Sequence, residues 1–566
     1  MSINKDNVSS EVSKIDHGVD THSINSQLNH NGDDPEKDAG IDHQYSIGSE
    51  SDGSSIFGAD RNKLKPALKQ RHLQMLALVL VFGTGIFLSS GGVLATTGPL
   101  GTLIAFAGIA LIVGLNQMAL AEVAALMPVT AATIRHLEQF VDPAWGFAYG
   151  WIYVYTMVVP GEVSAAALII SYWSDINQAV WITIVIAIII AINSYNVRFY
   201  GEVEFVFAMI KICLLIGLII VSIVITAGGA PSHETIGFRF WKKSNIFKEY
   251  ITTGSLGKFA GFWKTFTVVV YSYGSVQAVP NLAAEVKNPR RTVFTACKRI
   301  FYRVSILMLI IVFCLTLIVS SDDPKIANSS GNASSSPFVI AMNNAKIKVL
   351  PHIVNAAVLT SAFSAANACI VNTSRALFAL AVKHQAPKVF LKTNKHGNPW
   401  VGNLFAFALL PLAYMNVSKK AADVFSWFQA LGSSNLLLGW ILISANHIHL
   451  KRAMKAQGIP NERLPHTLRF ATPAAWISGI FSFILLLTGG FANFIHGNFQ
   501  ISSFFSSYFV IPLSLCLYFG WKFAKGTRYY RPHEVQLEAL FKDAEENPEE
   551  PAPKLTGWRW ITLLWS

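Results

Sequence analysis

The chain has 566 residues, of which 52% are hydrophobic and 14% charged, and its mean hydropathy is +0.41. This balance excludes an ordinary soluble globular protein and indicates a polytopic membrane protein. The net charge of +12 does not point to nucleic acid, because most Lys and Arg residues stand in short loops between apolar runs, where they set the orientation of spans.

The amino-terminal segment, residues 1–67, is expected to form a disordered cytosolic tail. Up to about Asp60 it is rich in Ser, Asp, Asn, His and Gly and poor in large apolar residues, so it cannot bury enough surface to fold. It lacks the apolar core of a signal peptide. A basic cluster immediately before the first apolar run places the amino terminus in the cytosol: Arg61, Lys63, Lys65, Lys69 and Arg71.

The first apolar run contains a glycine pair that interrupts it. Leu76 to Gly92 reads LALVLVFGTGIFLSSGG, with Gly83-Thr84-Gly85 at its middle. Backbone that unwinds inside a membrane is tolerated only where it lines a cavity or is buried in protein, so this stretch is a candidate binding site. The alternative is that the glycines only let a neighbouring helix approach closely.

Apolar runs of about 20 residues, long enough to cross a bilayer as helices, recur along the chain. We predict about twelve spans, near 74–95, 100–124, 143–172, 178–196, 203–227, 262–283, 302–321, 351–381, 400–416, 422–446, 473–492 and 503–524. They form a membrane domain at 68–524, followed by a cytosolic carboxyl-terminal tail at 525–566. No alternating barrel pattern is present, so the predicted fold is an all-α integral membrane protein.

Loop charges agree with this orientation in three places. The loops after the sixth, eighth and tenth spans carry the positive clusters expected on the cytosolic side: Lys287, Arg290, Arg291, Lys298 and Arg299; Lys383, Lys388, Lys392 and Lys395; and Lys451, Arg452 and Lys455. The loop 228–261 dissents, since it is basic yet predicted to lie outside. The outer loop after the seventh span carries glycosylation sequons at Asn328 and Asn332.

Three ionisable residues fall within or beside spans, where such groups are costly and are functional candidates by default. Glu162 follows Pro160 in the third span. It is a candidate functional residue, and the alternative is that it is a hydrogen-bonded packing residue. Lys211 lies in the fifth span, about 13 Å beyond Glu202 along a helix. Glu122 ends the second span, and we interpret it as the partner of a loop cation.

The sixth span is the second candidate for a broken helix. Its sequence YSYGSVQAVPNLAAE contains Gly274 and Pro280, which weaken a helix. Beside them stand four polar or aromatic side chains: Tyr271, Tyr273, Ser275 and Gln277. Two interrupted spans five apart match the inverted repeats of secondary transporters, whose discontinuous helices bind substrate at the midplane. An ordinary Pro/Gly kink is the alternative.

The sequence offers no catalytic constellation. It has no nucleophile with its base, no clustered metal ligands and no phosphate-binding loop, so neither an enzyme nor an ATP-driven pump is supported, and neither cofactor nor metal is expected. The five scattered cysteines indicate neither a zinc site nor a disulfide framework and are interpreted as packing residues: Cys213, Cys297, Cys314, Cys369 and Cys516.

The sequence resembles the fungal amino acid permeases of the amino acid-polyamine-organocation superfamily from about Leu68 to Phe523. The segments that carry the resemblance are LKQRHLQM with GTGIF, AEVAALMPV, FVDPAWGFAYGW, PGEVSAAA, YGEVEF with IKICLLIG, GFRFW, AAEVKNPRR, SSPFVIAMNNAKIKVLPHIVNAAVLTSAFSAANA, SRALFALA with APKVF, and HIHLKRAMKAQG. Their order and spacing are specific for the family.

The resemblance implies a LeuT-like fold of two inverted five-helix repeats plus two further helices, working by alternating access. Backbone N–H groups near Thr84, Gly85 and Ile86 would then receive a substrate carboxylate at a half-helix amino terminus, where the dipole favours an anion. Carbonyl groups around Gly83 and the broken sixth span would receive the substrate ammonium.

The resemblance also implies roles for side chains. Tyr271 and Tyr273 match aromatic positions that line or close the site, Glu162 matches the acidic residue of the third span, and Lys211 matches the fifth-span lysine. In related proton-coupled carriers that lysine stands where sodium-coupled relatives bind an ion, and its charge would repel sodium.

Three departures from the family pattern point to an unusual specificity. Residues 79–82 are bulkier than the small residues usual before GTG. Ser275-Val276-Gln277 replaces Gly-Thr-Glu, which removes a carboxylate and disfavours cationic side chains. Pro128-Val129-Thr130-Ala131 replaces Pro-Val-Ser-Gly.

The leading hypothesis is a proton-coupled importer of amino acids or related amine-bearing zwitterions in the plasma membrane, with both termini cytosolic; another fungal endomembrane is the alternative location. Its partners would be the substrate, the proton and the lipid bilayer, without nucleic acid, and trafficking or ubiquitination machinery on the tails. A non-transporting nutrient receptor with the same fold is the second hypothesis, and an integral membrane enzyme the third.

Overall fold

The structure, a computed structural model, describes residues 82–549 apart from 157–158, 195–196, 243–245, 279, 282, 284–285, 287, 328–335, 395–396, 419–420, 496 and 498. The amino-terminal tail, residues 79–81 before the Gly-Thr-Gly motif, and both sequons at Asn328 and Asn332 therefore lie outside the described residues. The same holds for residues 550–566 of the carboxyl-terminal tail.

The long regular elements of the described chain are α-helices. In the first half they are α1 Ser90–Leu126, α2 Ala132–Phe140, α3 Pro143–Thr156, α4 Val159–Ile170, α5 Gln178–Ser194, α6 Val197–Thr226, α7 Gly254–Ser272 and α8 Pro289–Ile318. In the second half they are α9 Pro324–Ala327, α10 Pro337–Asn344, α11 Leu350–Val382, α12 Trp400–Leu409, α13 Met415–Ser418, α14 Ala421–Ala456, α15 Ala471–Thr488, α16 Ile501–Tyr508, α17 Val510–Lys525 and α18 Glu538–Glu546.

Short tighter or wider turns connect or extend these helices. A π-helix, Gly85–Ser89, leads into α1. The 3₁₀ segments are Arg239–Trp241, Gly274–Ala278, Lys388–Leu391, Leu410–Tyr414, Asn461–Arg463 and Phe491–Phe494.

The helices account for the twelve predicted spans. Eight described helices are long and apolar enough to cross a membrane, or nine if α16 and α17, which meet at 47°, form one span. The longest, Gly85–Leu126, holds the second predicted span and the described part of the first, and Gly98 (φ 80°) before Pro99 breaks it between them. Residues 74–81 of the first predicted span lie outside the described residues. The 17-residue α5 and the more polar α7 supply the remaining two. The prediction of an all-α membrane protein with about twelve spans is confirmed.

The outer faces of several helices expose large apolar side chains. Along α6 these include Val206, Ile216, Ile220 and Ile223, whereas Lys211 on the same helix is buried. Contiguous exposed apolar surface of this extent indicates an interface with lipid. The interior, by contrast, holds many buried polar side chains.

One end of the bundle is closed by ion pairs. The carboxylate of Glu122, at the end of α1, lies 2.9 Å from Lys451 of α14 and accepts a hydrogen bond of 2.6 Å from the backbone N–H of Leu468. The predicted ion pair of Glu122 is confirmed, with one difference: its cation, predicted to lie in a loop, lies on helix α14.

The carboxyl-terminal helix α18 docks onto the same end. Leu540 and Phe541 are fully buried, and the carboxylate of Asp543 pairs with the guanidinium of Arg290, both side chains being at most 8% exposed. Arg290 also donates to the carbonyl of Leu126 at 2.7 Å. The Glu549 carboxylate accepts the backbone N–H of Arg290 at 2.7 Å, so it caps the amino terminus of α8.

The dissenting loop 228–261 is tied to the neighbouring loop after α8. Lys248 lies 2.9 Å from the carboxylate of Asp322 and donates to the carbonyl of Ser321 at 2.9 Å. Arg239 pairs with Glu234 within the loop. At least two of its basic side chains are therefore held by acidic or carbonyl groups.

Candidate functional site

The first interrupted stretch begins its helix inside the protein. Phe82 and Gly83 form a bend, and helical backbone starts at Thr84 and continues through Gly85–Ser89. Phe82 and Thr84 are at most 1% exposed. The hydroxyl of Ser361 in α11 donates to the carbonyl of Phe82 at 2.9 Å, which satisfies one group that the bend frees from helical bonding.

The second interruption lies in the sixth predicted span. Helix α7 ends at Ser272, Tyr273 has non-helical angles (φ −106°, ψ 7°), and the 3₁₀ segment Gly274–Ala278 follows. The prediction of a second broken helix is confirmed.

The two interruptions touch each other. A Cβ atom placed on Gly85 would lie 2.9 Å from the Cα and 2.9 Å from the Oγ of Ser272. Real Cβ atoms do not approach backbone this closely, so only glycine fits at position 85 without a shift. Gly85 therefore does allow a close approach of two helices, as the packing alternative predicts. The atoms that approach it belong to the second interruption, so close packing and a binding site are compatible here. We call the contact between the two interruptions the junction.

Glu162 of α4 joins the two interruptions. Its carboxylate accepts hydrogen bonds from the Thr84 hydroxyl at 3.0 and 3.1 Å and from the Tyr271 hydroxyl at 2.8 Å. The side chain is 6% exposed. The structure thus brings together Thr84, Glu162 and Tyr271, three residues singled out from the sequence, and leaves a hydrogen-bonded carboxylate at the junction.

Lys211 lies in a second polar cluster, 1% exposed on α6. Its ammonium donates to the Ser364 hydroxyl at 3.1 Å, and that hydroxyl donates to the carboxylate of Glu204 at 2.5 Å. Asn367 also donates to Glu204, at 3.4 Å. The Lys211 charge interacts electrostatically with both Glu204 and Glu162.

Helix α11 connects this cluster with the first interruption. Ser361, which holds the Phe82 carbonyl, and Ser364, which holds Lys211 and Glu204, are three residues apart and share one face of the helix. Asn367 continues the same face and accepts a hydrogen bond from Asn193 of α5 at 2.8 Å. A polar path therefore runs from the interrupted first span to the buried lysine.

Sequence reasoning missed Glu204. In the sequence, the YGEVEF motif counts only toward the family resemblance, and the position of Lys211 along its helix is measured from Glu202. Glu204 and Lys211 are seven residues apart, about two helical turns, which places them on one face of α6 about 10 Å apart along its axis. That spacing of two oppositely charged residues within one span was the available signal.

The other candidate residues lie elsewhere. The Tyr273 hydroxyl donates to the carbonyl of Phe106 in α1 at 3.3 Å, so its ring packs between helices. The Gln277 side chain lies against Gly439 of α14, where an added Cβ would come within 3.2 Å of its Oε1. Ile86 is fully buried in the core, and the side chain of Ser275 lies outside the described residues.

A cavity of about 270 Å³ lies between α1, α7 and α14. Leu88 and Ser89, from the π-helix that follows the first interruption, also line it. Phe425 of α14 lines it and meets the Tyr271 ring edge-on, with centroids 6.3 Å apart. Tyr271 therefore contacts both a wall residue of the cavity, Phe425, and the buried carboxylate of Glu162.

Comparison with known proteins places this architecture. Residues 72–533 match the family model described as amino acid permease. A dicarboxylic amino acid permease of Saccharomyces cerevisiae is 36% identical over 504 residues, which cover 87% of this chain and 83% of the relative.

Other curated relatives have similar identity. A proline-specific permease of Emericella nidulans is 36% identical and covers 88% of this chain and 92% of the relative. A general amino-acid permease of Candida albicans is 35% identical, and the matched residues cover 86% of this chain and 82% of the relative.

Among solved structures, a mutant of the manganese transporter of Eremococcus coleocola superposes with a TM-score of 0.50 at 12% identity, covering 84% of this chain and 96% of that one. At this identity the likeness concerns the fold alone. It confirms the predicted LeuT-like arrangement.

Proposed function

This chain belongs to the amino acid permease family, and we propose that it imports amino acids or related amine-bearing zwitterions by proton symport and alternating access. Transport of amino acids follows from the family. The coupling ion, the site residues and the direction are our proposal. The observation that carries it is the junction at which Thr84 and Tyr271, from two interrupted helices in contact, share the buried carboxylate of Glu162.

The substrate backbone would occupy this junction. Helical N–H groups at Thr84, Gly85 and Ile86 begin a helix, and the first N–H groups of a helix together with its dipole favour an anion such as the substrate carboxylate. The carbonyl groups near Gly83 and after Ser272 would receive the ammonium.

The proton would bind the carboxylate of Glu162, beside the charge of Lys211. Glu162 holds both interruptions through hydroxyl donors, and protonation of its carboxylate would remove acceptor capacity and weaken those hydrogen bonds. Lys211 and Glu204 supply a fixed charge pair beside it. A fixed ammonium at this place disfavours a sodium ion through charge repulsion, which supports proton rather than sodium coupling.

We propose that the substrate belongs to one of the amino acid classes for which similar proteins are named. One similar protein is described as a dicarboxylic amino acid permease, another as a proline-specific permease and a third as a general amino-acid permease. We propose the plasma membrane as the location and cytosolic termini, supported by the basic segment 61–71 and the positive loops. We also propose that the protein carries out no covalent chemistry and that its tails meet trafficking or ubiquitination machinery.

Uptake by the purified, reconstituted protein tests the function. A panel of radiolabelled anionic, neutral and cationic amino acids is offered to proteoliposomes, with Thr84→Val as the matched variant, since valine keeps the shape of threonine and removes the hydroxyl that holds Glu162. We expect uptake of at least one amino acid by the wild-type protein and a lower affinity in the variant. Binding of an amino acid without flux would replace transport by the receptor hypothesis.

A further inference from the structure

The cavity beside the junction contains a lysine that the proposed mechanism does not use. Lys264 of α7 lines it, is half-buried and is the charged side chain among the lining residues that the structure describes. Within the described part of the chain it has neither a hydrogen-bond nor an ion-pair partner. An ammonium withdrawn from water without a counter-charge is costly within a span, which makes such a group a candidate for binding an anion.

The surrounding groups suit a carboxylate. Ser89 and Gln429 line the same cavity and can donate to a ligand: the buried Ser89 hydroxyl has no hydrogen-bond partner within the described part of the chain, and the Gln429 amide gives one N–H to the carbonyl of Val268 and keeps a second. The Thr265 and Ser426 hydroxyls, which also line the cavity, donate to the backbone carbonyls of Phe262 and Asp423. No acidic side chain lines the cavity among the described residues. Val268 and Phe425 supply apolar wall. One cation, neutral donors and apolar surface together suit a ligand group of negative charge.

The lysine lies ahead of the junction, not in it. Lys264 precedes Ser272 by eight residues on one helix, which is about 12 Å along the axis. Tyr271 contacts Phe425 in the cavity wall on one side and donates to Glu162 on the other. A substrate that passes through the cavity toward the interruption after Ser272 would therefore meet Lys264 first.

We propose that Lys264 forms an anion-binding site in this cavity that receives the side-chain carboxylate of an acidic amino acid and so favours substrates of net negative charge. This inference rests on the proposed transport function, because it names the substrate class that the same pathway admits. A neutral amino acid carries no net charge for the ammonium to attract, so its affinity would depend little on Lys264.

The test compares aspartate with proline. Lys264→Gln should raise the KM for aspartate by about tenfold or more at nearly unchanged kcat, since hydrogen bonds to charged groups contribute on this order. The KM for proline should change by less than about twofold. Lys264→Arg should retain aspartate affinity. Lys258→Gln is the matched control, because Lys258 lies on the same helix but is exposed and does not line the cavity.

A second readout separates this inference from the function. Aspartate should raise the thermal unfolding temperature of the detergent-purified wild-type protein, and the rise should be lost in Lys264→Gln and kept in Lys258→Gln. Equal KM changes for aspartate and proline, or equal aspartate stabilisation of both variants, would overturn the anion site. Stabilisation by aspartate without any uptake would refute transport while leaving the binding site standing.

Discussion

Replacing Lys211 by Met removes the ammonium that faces Glu204 across the Ser364 hydroxyl. Both charged side chains are at most 2% exposed, so the variant leaves a carboxylate buried without its counter-charge. Removal of one partner of a buried pair costs about 3–5 kcal/mol, whereas replacement of both by groups of similar volume is close to neutral. We therefore expect Lys211→Met to be strongly destabilised and Lys211→Met with Glu204→Gln to regain most of the loss.

The double variant then isolates coupling from folding. It should fold and exchange labelled for unlabelled substrate across the proteoliposome membrane, because exchange needs the substrate site but no net proton movement. It should fail to accumulate substrate when a pH gradient is imposed. Chemical unfolding in detergent measures the first effect, and exchange and accumulation assays measure the second. Gradient-driven accumulation by the double variant would refute a role of this pair in coupling, and a single variant as stable as wild type would refute the pairing.

Three further predictions concern the end of the bundle where α2 and α18 lie. Ala131 has left-handed backbone (φ 51°), so Ala131→Gly should raise stability by about 0.5–1 kcal/mol in thermal unfolding; a loss would contradict the strain. Burial raises the pKa of Glu138 from 4.5 to about 7. The contribution of this carboxyl group to the free energy of unfolding is therefore full below pH 4.5 and falls by about 3 kcal/mol as the pH rises through 7. Glu138→Gln should abolish this decrease in unfolding free energy with pH, and an unchanged decrease would show that another group causes it. Asp543→Asn should speed proteolytic removal of the segment after residue 526, because it breaks the buried contact with Arg290; unchanged cleavage would show that α18 is held by other contacts.

Features set by local sequence were predictable. The length of apolar runs gave the spans, since a helix must cover the bilayer core, and Gly274 in the sixth span marked the point at which α7 ends, at Ser272. Ala131 was noticed because it replaces a glycine, and its positive φ gives the physical reason why glycine is usual there.

Features that depend on which helices meet were not predictable. Thr84 and Glu162 are 78 residues apart, and Lys211 and Ser364 are 153 apart, so neither contact has a local signal. Gln277 and Tyr273 were chosen for their polarity near the break, but a helix turn decides the side that each faces, and both face other helices. The docking of α18 was not predictable either, because the residues that it contacts, such as Arg290, lie far away in the sequence from the tail at 525–566.

Imposed gradients across proteoliposomes test proton-coupled amino acid transport most directly. Vesicles containing the wild-type protein are diluted into buffer that is more acidic than their interior, with labelled aspartate and proline offered in separate experiments and sodium absent. We predict accumulation of at least one substrate above the external concentration, its loss when a proton ionophore is added, and no gain when sodium is supplied. Accumulation that ignores the pH gradient, or that requires sodium, would contradict proton symport.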